Sequence, residues 1–203
     1  MHWLERADGG DISSHRLAMS ASVRPRWGAF LNACARQVAA RAILELSACC
    51  GISGAYLAAL PWLPRLVTID GSKSLTPIAE ATLAAVTPRA TVLCGLFDVR
   101  LAEAAAQFAA EGLAIDLVHL DGHHQETATR RYVEMLLPHL APGALVVVDD
   151  IHLNAGMRRA WHDLGSLRGA VASVNAGRCG LILWEGGERT PRRFDVARYT
   201  GRW

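Results

Sequence analysis

The chain is 203 residues long, 51% hydrophobic and 20% charged, with a formal net charge of +2. That length suits one domain with a full core, and a charge so small and evenly spread excludes a protein built mainly to hold nucleic acid. No apolar run is long enough to cross a bilayer, so no membrane association is expected.

The opening residues MHWLERADGG lack a basic start followed by an apolar stretch, and the expected location is cytoplasmic. In RPRWGAFLNACARQVAA (24–40), Trp27, Phe30, Leu31, Cys34 and Val38 recur every three or four residues, which predicts an amphipathic helix with Pro25 in its first turn. AILEL (42–46) reads as the first strand, and Ile52 to Leu60 as a helix stopped by Pro61. The unit then repeats: strand 65–70 with helix 74–86, strand 90–95 with helix 100–112, strand 114–121 with helix 125–140, and strand 143–150 with helix 155–164. Two further strand-like runs, 170–177 and 179–186, are separated only by a short turn near Gly177 and Arg178, which implies an antiparallel pair.

The alternation predicts an α/β fold: a doubly wound, Rossmann-like, mostly parallel sheet of seven strands, ending in an antiparallel hairpin and covered by helices on both faces. Residues 1–203 are expected to form a single domain, with a helical cap segment over 1–41, a cofactor-binding core over 42–186 and a tail over 187–203. The tail gathers Arg189, Arg192, Arg193, Arg198 and Arg202, diluted by Glu188 and Asp195, and reads as a solvated surface. Cys34, Cys49, Cys50, Cys94 and Cys179 are odd in number and sit in apolar patterns, so they read as reduced thiols.

Ligands of an open parallel sheet bind beyond the carboxyl ends of its strands. Acids stand at all five such ends here: Glu45, Asp70, Asp98, Asp121 and the pair Asp149 and Asp150. One such acid reads equally well as a helix cap, but the full set fits a site better. Asp70 follows Gly51 by about 20 residues, the spacing at which an acid on the second strand reaches ribose hydroxyls. The loop SACCG (47–51) carries Ser47 and Cys49 where a dinucleotide loop needs glycines to admit a pyrophosphate. A cofactor presenting an amino-acid tail in place of a phosphate demands less of that position.

The stretches Glu45-Leu46-Ser47 through Gly51, Asp70-Gly71-Ser72, DLVHLDGHH (116–124), LPHLAPGALVVVDDI (137–151) and the terminal hairpin together resemble the class I S-adenosylmethionine-dependent methyltransferases, nearest to small bacterial O-methyltransferase-like proteins. The resemblance implies an enzyme that transfers the methyl group of S-adenosylmethionine to a small-molecule acceptor, most naturally a hydroxyl oxygen. It implies that Glu45, Ser47, Cys49 and Gly51 hold the methionine end, that Asp70 holds the ribose, and that Phe97 and His123 flank the adenine; Gly71, Ser72 and Asp121 complete the cofactor set. The usual pattern has glycine at positions 47 and 49. By similarity to the catechol-type enzymes, His124 is the base on the acceptor hydroxyl, with Asp121 beside it. The same similarity makes Asp121, Asp149 and Asp150 ligands of a divalent cation such as Mg²⁺, the alternative being acids that order loops and cap helices.

His123, His124 and His152 do not suggest zinc, since no cysteine lies near enough to complete a usual set. Trp27 and Trp161, with their neighbouring arginines, are read either as acceptor-pocket residues or as core. Two other functions remain open from the sequence: a non-catalytic methyltransferase-like protein that binds cofactor or a partner, and a nicotinamide-dependent oxidoreductase, which the missing glycines and the hairpin disfavour. A homodimer is compatible with the sequence, although no pattern demands one.

Overall fold

The computed structural model describes residues 23–200. The first 22 residues of the expected cap segment therefore lie outside the described residues, as do 201–203. Helix α1 (Pro25–Gln37) opens the described chain with Pro25 at its start and buries Trp27, Leu31, Cys34 and Ala35. β1 (Ala42–Leu46) follows, buried at all five positions because both faces of the sheet are covered there. Then come α2 (Ile52–Ala58), β2 (Arg65–Asp70), α3 (Thr76–Ala84), β3 (Ala90–Cys94), α4 (Phe97–Ala110), β4 (Ile115–Leu120), α5 (Glu126–Leu136), β5 (Leu140–Val148), α6 (Ala155–Leu164), β6 (Ala170–Asn175), β7 (Gly180–Trp184), β8 (Arg192–Asp195) and α7 (Ala197–Thr200).

One sheet runs in the order β3-β2-β1-β4-β5-β7-β6-β8. Strands β1 to β5 are mutually parallel, and β7 is antiparallel to both β5 and β6. The chain order reverses between β1 and β4, and the crevice beyond their carboxyl ends is where this topology places a ligand. One face of the sheet packs Leu44, Leu46, Val118 and Val148 against Leu101, Phe108, Tyr132 and Trp161 of α4 to α6. The other packs Ile43, Leu66, Leu117 and Val147 against Trp27, Leu31, Leu57 and Leu83 of α1 to α3.

The sheet has eight strands among the described residues, a correction to the seven expected. β8 lies inside the arginine-rich tail and pairs in parallel with β6, from Ala172 opposite Arg192 to Asn175 opposite Asp195. All four of its side chains are exposed, so it is held by backbone pairing and leaves no alternation to read in the sequence. Two boundaries also move. α4 begins at Phe97, three residues before the expected start, and β5 begins at Leu140 because a register shift between Ile115 and Leu117 lets Pro142 and Gly143 join the strand. The helix expected over 125–140 ends as α5 at Leu136 and continues as a single 3₁₀ turn through Pro138, which has no amide to donate.

Candidate active site at the carboxyl edge of the sheet

The loop between β1 and α2 keeps the backbone of a glycine-rich turn without most of the glycines. Ser47, Cys49 and Gly51 all have positive φ, at 79°, 46° and 80°. Only at Gly51 is glycine also demanded by space, since a Cβ there would stand 3.0 Å from the carbonyl oxygen of Ala79. The turn is held by backbone bonds: the amides of Ser47 and Ala48 both donate to the Ile69 carbonyl, and that of Gly51 to the Ala48 carbonyl. Burial, with Cys50 adjacent, pushes the Cys49 thiol up to about 12, so it is a small packed side chain and not a thiolate.

Asp70 is buried and accepts one backbone amide on each oxygen, from Cys49 at 2.8 Å and from Ser72 at 2.8 Å. It thereby clamps the loop after β1 to the loop after β2, with Gly71 exposed between Asp70 and the buried Ser72. Each oxygen has a second lone pair, so ribose hydroxyls could still be accepted. Burial raises its pKa, and the two amide bonds offset part of that.

Glu45 is wholly buried, and its hydrogen-bond partners are protein groups: Thr68 donates to one oxygen at 2.8 Å, and His119 lies 3.3 Å from the other. Gly54 of α2 comes so close that a Cβ there would stand 2.8 Å from the Glu45 carboxylate. Glu45 thus braces β1, β2 and β4 beneath α2. His119, equally buried, has no partner for Nε2 among the described residues. Burial opposes its charged form, but the Glu45 bond and the charges of Asp121, Glu45 and Asp149 outweigh that and raise its pKa.

Phe97 and His123 are brought together by a residue the sequence reading missed. Tyr132 of α5 meets Phe97 edge-on at 5.7 Å and shares a 2.8 Å hydrogen bond between its hydroxyl and His123 Nδ1. Its place on the buried stripe with Ala128, Thr129, Val133 and Leu136 was the signal available. Gly122 closes the cluster: a Cβ there would come within 2.8 Å of the Phe97 ring and 3.3 Å of Ser47. The loop after β1, the expected adenine residues and the loop after β4 therefore meet at one place.

His123 and His124 also have positive φ, 69° and 36°, two successive non-glycine residues in the left-handed region. His124 Nε2 lies 3.6 Å from Asp121 Oδ1, and Asn154, which caps α6, donates to the His124 carbonyl. Burial depresses the His124 pKa despite the nearby charges of Asp150 and Asp149, which leaves a neutral imidazole near pH 7. Asp121 is held well above the usual carboxylate range by burial and by the Asp149 charge; the repulsion is the firmer cause, because 30% of the Asp121 side chain is open to solvent.

Asp149 is wholly buried and gripped by Arg178, from the turn between β6 and β7: Nε lies 2.8 Å and 3.1 Å from the two oxygens and Nη2 2.6 Å from the second. Two clusters among the described residues have ligand atoms within 4.8 Å of one another, His119 with Asp121 and Asp149, and Asp121 with His124 and Asp150. The expected metal set of Asp121, Asp149 and Asp150 is not one of them, and its central member is already bonded through both oxygens to a cation. A trio around Asp121 and Asp150 is brought together with His124 in the place expected for Asp149.

The remaining sequence readings find their places. Asp98, exposed in the first turn of α4, pairs with Arg131 of α5. Trp27 and Trp161 are core, 2% and 7% exposed. A cavity lined by Arg41, Trp62, Leu63 and Arg89 opens where the strands begin, at the opposite end from all of these acids.

An open sheet of this order, with its acids and its tight first loop at one edge, defines the class I methyltransferase architecture. A family described as "methyltransferase domain" matches residues 44–151, over half of the chain. The chain belongs to that family, within the S-adenosylmethionine-dependent enzymes its motifs resemble. No curated protein matches its sequence. Among solved structures it is similar to the O-methyltransferase TomG from Streptomyces achromogenes, solved with SAM, at 26% identity and TM-score 0.66, covering 85% of this chain and 88% of that one. An O-methyltransferase from Bacillus cereus, in complex with SAH, matches at 22% identity and TM-score 0.62 over 84% and 88%. A methyltransferase from Geobacter sulfurreducens matches at 21% and 0.67 over 86% of each chain.

Proposed function

We propose that the chain transfers the methyl group of S-adenosylmethionine to a hydroxyl oxygen of a small molecule, with His124 as the base and no metal. The observation that carries this reading is the loop after β1, which holds the left-handed backbone of a glycine loop at Ser47 and Cys49. Its shape suits an amino-acid tail, while the two side chains crowd the approach that a pyrophosphate would require. Phe97 and His123, backed by the buried Tyr132, offer the aromatic wall for the adenine, and Asp70 the acceptor for ribose hydroxyls.

The sulfonium already activates the methyl group, so the protein's task is alignment and removal of one proton. The acceptor oxygen forms its bond to the methyl carbon as the carbon–sulfur bond breaks, the sulfur keeps that electron pair, and the hydroxyl proton passes to His124. The depressed pKa of His124 keeps its imidazole free to take that proton.

Calorimetric titration with S-adenosylhomocysteine, followed by a screen of phenolic and catecholic acceptors, tests the reading. Micromolar binding and turnover are expected, with His124→Ala lowering kcat by about 10² to 10⁴ while leaving cofactor binding intact. In the wild type, kcat/KM should rise with pH through a value below the ordinary 6.5 of histidine and then level. A folded protein that binds no S-adenosylhomocysteine overturns the proposal, and full activity in His124→Ala overturns the choice of base.

A further inference from the structure

Arg178 reaches the acidic site from a turn 29 positions away in sequence from Asp149. Its planar fork takes both oxygens of that buried carboxylate, and its Nε lies 3.8 Å from Asp150 Oδ1. On its other side the guanidinium stands 5.3 Å from the Trp27 ring centre, so the same cation ties the end of β5 to α1. The Arg178 carbonyl also accepts the Ile151 amide, which fixes the turn beside the strand end.

A divalent ion shared by these acids would need an Asp149 oxygen at about 2.1 Å for Mg²⁺. That oxygen is already in a charge-assisted bond, and an ion there would face a second positive charge a few ångströms away. A bidentate guanidinium on a desolvated carboxylate is also a strong and geometrically specific pair.

We propose that Arg178 is the resident cation of this site, holding the position between Asp149 and Asp150 that a divalent metal would otherwise take, and that it thereby excludes Mg²⁺ and Mn²⁺. The inference concerns cation binding by the protein alone and stands whether or not the methyl-transfer reading does.

The test is a titration of EDTA-treated, dialysed protein with Mn²⁺, following the free ion by electron paramagnetic resonance. Wild type should bind no ion tighter than about 1 mM, Arg178→Lys should behave the same, and Arg178→Gln, which frees Asp149, should bind at least about tenfold more tightly. A merely structural arginine would not create a metal site when removed. Uptake of one equivalent by wild type at micromolar concentration, or no gain in Arg178→Gln, overturns the proposal. If Arg178→Gln does not fold, the wild type decides alone: a melting temperature unchanged between Mn²⁺ and EDTA upholds the proposal, and a clear rise with Mn²⁺ sinks it.

Discussion

Asp70 and Asp149 are both buried acids at strand ends, one in each half of the site, yet their charges are met in different ways. Asp70 takes two backbone amides, from the loops after β1 and β2. Asp149 takes a side chain, Arg178, together with the amide of Asp150. A backbone donor is supplied by the fold whatever side chain stands there, so the half at β1 and β2 keeps these bonds with serine and cysteine in place of glycine. A side-chain donor is one particular residue, so the half at β5 depends on position 178.

The comparison breaks first at Arg178. Arg178→Ala leaves a charged carboxylate buried without its partner, and should lower unfolding free energy by about 3 kcal/mol in urea, the low end for a broken buried pair because the arginine is partly exposed. A loss under about 0.5 kcal/mol would place the pair with ordinary surface contacts and end the contrast. Acid sharpens the same point. Burial alone would raise the Asp149 pKa, but the bonds to Arg178 outweigh it and hold the carboxyl below its ordinary value. The pair's stabilisation is therefore complete above the unfolded value, about 4, and is lost as pH falls through the depressed folded value. Arg178→Ala should lack that acid-side contribution, seen as a shallower loss of stability between about pH 4 and pH 2.

Asp70→Asn should cost less, about 2 kcal/mol, because the amide keeps one oxygen and only one of the two backbone donors faces a nitrogen. It should also weaken S-adenosylhomocysteine binding by displacing the Cys49 amide. An Asp70→Asn loss larger than that of Arg178→Ala would reverse the order, and with it the claim that backbone donors make the first half the more tolerant.

The same division explains what the sequence revealed. β1 to β5 and their helices follow from hydrophobic period, Gly51, Asp70 and Asp121 from their positions at strand ends, and Phe97 from the family resemblance alone. The distances that mattered most are long-range. His119 meets Glu45 across 74 positions and Arg178 meets Asp149 across 29, so neither contact exists in any local window. An arginine beside a hairpin turn reads as solvated until the hairpin folds back against β5. β8 stayed hidden for a related reason: RRFD buries nothing, and it joins β6 through backbone pairing and one exposed bond from Asn175 to Asp195. The expected role of Glu45 rested on the family resemblance, and its partners across the sheet, Thr68 and His119, lie 23 and 74 positions away, beyond any local pattern.

The smallest effect has the opposite sign and tests the tolerant half directly. Cys49 at φ 46° and Ser47 at φ 79° hold conformations that cost an L-residue about 1 kcal/mol or more and a glycine almost nothing. Glycine also gives the unfolded chain more freedom, which offsets roughly 0.5 to 1 kcal/mol of any gain. The double variant Ser47→Gly, Cys49→Gly should therefore be more stable than wild type by about 1 kcal/mol, with S-adenosylhomocysteine affinity kept or improved. Loss of stability would mean that the two side chains make packing contacts outweighing the strain. Loss of affinity with stability retained would mean that they touch the cofactor themselves, and the loop would then be read as a specificity element instead of a glycine turn under strain.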